Sequence, residues 1–163
     1  MAHVVTQSAY ARLTERLNRF PQGAPPTERL TKILKILFDQ KEAEMVSLLP
    51  VKPFTVKKAA HVWEMSEKET RKVLERLAEK ALLVDFQTDG EMRYVLPPPM
   101  AGFFEFSMMR IRKDIDQKLL SELFYQYLNQ EEDFVRELFA TGQTQLGRAF
   151  VNETVLSEEN SLH

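Results

Sequence analysis

His61 and Glu64 stand three residues apart in a stretch of helical periodicity, a spacing that can bring two metal ligands onto one helix face. They have no companions. A zinc site takes three or four nitrogen, sulfur or oxygen donors, and the remaining histidines, His3 and His163, stand at the two ends of the sequence. An ordinary surface histidine is expected. The chain contains no cysteine, which removes disulfides, zinc thiolates and any iron-sulfur cluster held by its own thiolates. No nucleophile has an evident base nearby, and Gly23, Gly90, Gly102, Gly142 and Gly147 are too scattered to form a phosphate loop. A catalytic role is therefore not expected.

Two other groups of residues suit binding. Lys68, Arg71, Lys72 and Arg76 recur along one prospective helix, with Arg93 on a strand beyond it, and such cations meet phosphates or base edges when a helix enters the major groove. Glu75 and Glu79 share that face. Across residues 53–96 eight Lys and Arg meet eight Asp and Glu, and the whole chain carries a formal net charge of −2. Phosphate contacts dominate nucleic-acid affinity, so duplex DNA is a disfavoured partner and a solvated, ion-paired face is expected. The second group, Phe103, Phe104, Phe106, Met108 and Met109, lies in the run FFEFSMMR. Soft apolar side chains of this kind suit a docking partner or a small ligand, or else clamp a helix onto a core.

The surrounding periodicity says what must position these groups. Tyr10, Leu13, Leu17 and Phe20 recur at helical spacing, with Arg12, Glu15, Arg16 and Arg19 away from that face and Pro21 as the stop. Pro25, Pro26 and Thr27 announce a second helix, striped by Leu30, Ile33, Leu34, Leu37 and Phe38, and KEAEMVSLL continues as a short helical piece to Pro50. Thr55 is a good N-cap for VKKAAHVWEM, and Ser66 with Glu69 reads as a capping box for the next helix, which buries Thr70, Val73, Leu74, Leu77, Ala78 and Ala81. Residues 82–86 and 92–96 read as strands joined at Asp89-Gly90. Helix, turn, helix and hairpin in that order predict a winged helix-turn-helix over about 27–98.

Beyond Pro97, Pro98 and Pro99 the composition changes. Ile111, Ile115, Leu119, Leu123 and Tyr127 fall in one helical row, and Asn129 with Glu132 reads as the start of a helix carrying Phe134, Val135, Leu138 and Phe139. Residues 131–163 hold seven acidic and two basic groups, which predicts a solvated tail. The expectation is a mainly α protein with a small β-hairpin: an N-terminal helix and linker over 1–26, the winged helix over 27–98, a helical extension over 99–141 and an acidic, partly disordered tail over 142–163. No apolar run approaches a membrane span, and a cytoplasmic location is expected.

The segments LTKILKILFDQKEAEMVSLLPVKPFT, KALLVDF, YVLPPPMAGFFEFSMMR, LFYQYL and GRAFVNE resemble the N-terminal region of an anaerobe family of 4Fe-4S ferredoxin, iron-sulfur binding proteins. The resemblance implies that the polypeptide continues past His163 into cysteine-rich segments, so that 4Fe-4S clusters belong to that continuation and none to this chain. A stop codon directly after His163 would sink that expectation. The implied function is a non-enzymatic module that docks a partner protein or positions its own C-terminal redox domain. A DNA-binding regulator is the alternative, a metabolite sensor at 103–109 a weaker one, and a homodimer through Tyr10, Leu13, Leu17 and Phe20 a further expectation.

Overall fold

The computed structural model describes residues 7–20 and 23–129. Helices α1 (Ala9–Leu17), α2 (Glu28–Leu37) and α3 (Gln40–Ser47) come first, then a short strand β1 (Phe54–Thr55) that runs directly into α4 (Val56–Trp63) and α5 (Glu67–Glu79). A hairpin follows, β2 (Val84–Thr88) and β3 (Glu91–Val95), and then a π-helical turn over Pro99–Phe103, α6 (Phe104–Met109) and α7 (Gln117–Asn129). The chain is thus mainly helical with a small antiparallel sheet.

Each of the first five helices begins on a side chain that accepts one of the N–H groups a helix start leaves free. Ser8, Thr27, Asp39, Thr55 and Ser66 accept from Ala11, Leu30, Glu42, Lys58 and Glu69 respectively. Asp39 and Glu42 complete the reciprocal capping box, with Glu42 Oε2 accepting from Asp39 N at 3.1 Å. At Ser66 the hydroxyl itself donates to Glu69 Oε2 at 2.6 Å, which holds that carboxyl below its ordinary pKa.

The hairpin turns on Asp89 and Gly90 with φ of 53° and 77°, the left-handed pair a two-residue turn demands. In the sheet, ordered β1-β3-β2, Phe54 faces Tyr94 and Val84 faces Val95, and the Phe54 and Tyr94 rings stack at 6.5 Å. The helices α4 and α5 end without glycine: Glu64 and Ala81 take φ of 53° and 57° instead. Residues 82 and 83 therefore close α5 through hydrogen bonds to Leu77 O, and β2 begins later than the sequence predicts.

One apolar cluster runs through the molecule, joining α1 to α3, α2 to α7 and α4 to α5. Leu13 and Leu17 are buried in it, while Tyr10 and Phe20, the other two residues of the seam expected for a homodimer, are only partly buried. The second revision concerns Arg16, expected on the solvent side of α1. It is wholly buried, because three residues from Leu13 it lies only about 60° round the helix from it, inside the apolar stripe.

The third concerns the long apolar row. Arg110 is extended at the end of α6, Arg112 forks onto Asp114 at 3.0 and 2.6 Å, and Asp116 caps α7 by accepting from Leu119 N, so residues 110–116 break the helix. Ile111 consequently projects into solvent, 91% exposed, while Leu123 and Tyr127 are buried. Asn129 is the last described residue of α7, and its side chain donates to Tyr125 O. The expected helix carrying Phe134 and its neighbours, and the acidic tail, lie outside the described residues. Among the described residues no helix is long and apolar enough to cross a membrane.

Candidate functional surfaces

The cationic face is built on α5. Thr70, Leu74 and Leu77 turn inward and anchor the helix, which leaves residues 67, 68, 69, 71, 72, 75, 76 and 79 exposed. Lys68, Arg71, Lys72 and Arg76 are among them, interleaved with Glu67, Glu69, Glu75 and Glu79. Arg76 is further diverted. Its Nε lies 3.5 Å from Glu42 Oε1 on α3, which also accepts from Lys80 Nζ at 2.7 Å. Arg93, the fifth sequence candidate, sits on β3 with Nη2 3.4 Å from Glu91, so it belongs to the sheet rather than to the α5 face. Burial raises the Tyr94 phenol first, and Glu75 adds to this against the opposing Arg71. Carboxylates and cations thus lie close together here, with no single-sign field.

The aromatic candidates separate into two sets. Phe103 and Phe104 are core residues: their ring centroids are 4.6 Å apart, and Phe104 packs on Phe124 at 4.8 Å and Tyr127 at 6.0 Å. Met108 is half-buried. Phe106 is 37% and Met109 78% exposed, on the outer side of α6. Between α6 and α7 a notch of about 210 Å³ is lined by Phe104, Glu105, Met108, Phe124 and Leu128. Ligand pockets for drug-sized molecules occupy about 300–1,000 Å³, which makes this notch small for a metabolite. A larger groove of about 630 Å³ lies elsewhere, between α1 and α2, with Thr14, Glu15, Asn18 and Glu28 among its lining.

His61 is exposed on α4, and among the described residues no group of three or more His, Asp or Glu side chains is placed to hold a metal ion. The chain matches no family model, no curated protein and no solved structure. Function must therefore be read from its surfaces.

Two charged residues that the sequence did not single out are buried. Arg16 Nε donates to Leu49 O at 3.2 Å and Nη2 to Pro50 O at 2.6 Å, tying α1 to the chain just past α3, while Nη1 has no hydrogen-bond partner among the described residues. Burial, with the nearby Arg19 charge, lowers its pKa to about 10, so it remains charged at neutral pH. Glu42, 2% exposed, is the carboxylate shared by Lys80 and Arg76. The Asp39-x-x-Glu42 spacing was the available sign for Glu42, and the wheel angle from Leu13 the sign for Arg16.

Proposed function

We propose that residues 27–98, with the helix-turn-helix and hairpin in 53–96, form a winged helix-turn-helix used as a non-enzymatic docking module, rather than as a reader of DNA. The order β1, α4, turn, α5, hairpin, with β1 completing the sheet at β3, supports the fold assignment. One observation carries the functional reading. The exposed face of α5 presents four carboxylates beside four cations, and one of those cations is drawn toward Glu42. A recognition helix gains affinity by neutralising phosphates, and each carboxylate on it opposes that gain.

The resemblance to iron-sulfur proteins gives the module its context, in which it positions a redox domain or docks a protein that carries one. This chain offers no donor set for a cluster: it has no cysteine, and the described residues hold no metal-binding group. A cluster in such an assembly belongs to another segment or another chain.

Fluorescence anisotropy with labelled duplex DNA tests the reading. At about 50 mM salt no saturable binding is expected. Tight binding that falls steeply with salt, and that Lys72→Ala or Arg76→Ala weakens, would overturn it in favour of a DNA-binding regulator. That second reading draws on the exposed Lys68, Arg71 and Lys72 in the first half of α5.

A further inference from the structure

The outer side of α6 carries large apolar side chains that nothing among the described residues covers. Phe106 and Met109, with Ala81 from the left-handed turn after α5, line an open notch of about 290 Å³ that Arg110 closes on one side. Arg110 also borders the adjoining notch, of about 210 Å³, whose other charged walls are Glu75 and Glu79 on α5 and Asp85 on β2. None of these three carboxylates has a cation within ion-pair distance among the described residues. The two notches share Arg110, so the apolar seat borders a lining of three carboxylates and one guanidinium, which among themselves sum to −2 within the mixed charges of the α5 face.

We propose that this seat is where the module docks its partner, and that the partner presents a basic amphipathic helix: one or two large apolar side chains flanked by Lys or Arg. The inference rests on the docking reading above and names the partner's chemistry. Apolar anchors supply the contact area, and Met109 adapts to their shape. The unpaired Glu75, Glu79 and Asp85 select for cations, since a negative or neutral partner leaves them uncompensated. Nucleic acid fails the same test, being repelled by those carboxylates.

A labelled amphipathic peptide of about 14 residues, leucine on one face and lysine on the other, is the probe, with a leucine-glutamate peptide of the same pattern beside it. Binding to the whole chain is read by anisotropy. The lysine peptide should bind and the glutamate peptide should not. Glu75→Gln with Glu79→Gln should weaken binding about tenfold, Met109→Ser about fivefold, and Glu28→Gln with Glu122→Gln, an equal charge change on α2 and α7, less than about twofold. All these positions are exposed, and thermal melts verify that the variants fold. A lysine peptide that does not bind, or one weakened equally by both Glu pairs, overturns this site. The duplex experiment decides the docking reading separately: absent DNA binding with an unbound peptide sinks the site alone, and tight DNA binding sinks both.

Discussion

The junction of α1, α3 and α5 and the arm formed by α6 and α7 solve opposite problems. Around α3 the molecule takes charge out of water: Arg16 is satisfied in part by the Leu49 and Pro50 carbonyls, and Glu42 by Lys80, Arg76 and the Asp39 N–H. Around α6 it buries the aromatic stack of Phe103, Phe104, Phe124 and Tyr127, and among the described residues leaves Phe106 partly and Met109 largely exposed. Desolvated ions need particular partners, so the first region fixes geometry. Aromatic area is non-directional and large, so the second region supplies adhesion, with a surplus that faces outward.

Substitutions can break that division of labour. The largest effect is expected from Phe104→Ala, which should cost about 3–5 kcal/mol in denaturant unfolding by opening a cavity between α6 and α7. A loss below about 1 kcal/mol would mean that the arm adheres by other contacts. Arg16→Ala should follow, at about 3 kcal/mol, because it strands the buried Leu49 carbonyl, loosens the part-buried Pro50 carbonyl and removes packing. Arg16→Met keeps much of the volume without the ion and should cost less. Equal losses for the two would assign the whole role to the carbonyl bonds.

Glu42→Gln should cost about 1–2 kcal/mol. Lys80 and Arg76 are partly exposed and can turn to water once the carboxylate is gone, which caps the loss. Ser66→Ala, on the α5 cap, should cost about 1 kcal/mol. Its pH dependence sharpens the point. The Glu69 carboxyl titrates below its unfolded value, so its contribution is present above the unfolded pKa and disappears as pH falls through the lower, folded one. The stability gap between wild type and Ser66→Ala should therefore narrow in acid to the share that comes from Glu69 N, whereas a gap unchanged by pH would show that the hydroxyl acts on Glu69 N alone.

The same contrast governs what could be read from the residues. Thr27, Thr55 and Ser66 mark their helix starts correctly because a cap is a local transaction between a side chain and an N–H three residues on. Asp89-Gly90 marks the hairpin for a similar reason. The helix ends at Glu64 and Ala81 were hidden, since packing there holds left-handed backbone without the glycine that would announce it. Nor did periodicity divide FFEFSMMR: Phe104 and Phe106 differ only in which side of a six-residue helix meets α7. The break at residues 110–116 depends on Arg112 meeting Asp114 and on Asp116 capping α7, local pairings that the apolar row masks. For the candidate site, the charge balance of α5 was visible in the residue list. Arg76's diversion to Glu42 needed the approach of α3, which is a tertiary fact.

Trp63, the one tryptophan of the chain, donates its indole N–H to Met45 O at 2.8 Å, bridging the end of α4 to α3. The chain's one indole thereby sits on the seam between α3 and α4. Emission from that ring reports whether α4 stays seated on α3. Separation would hand the indole to water and redden the spectrum, while a partner resting on α6 that leaves α4 in place would not disturb it.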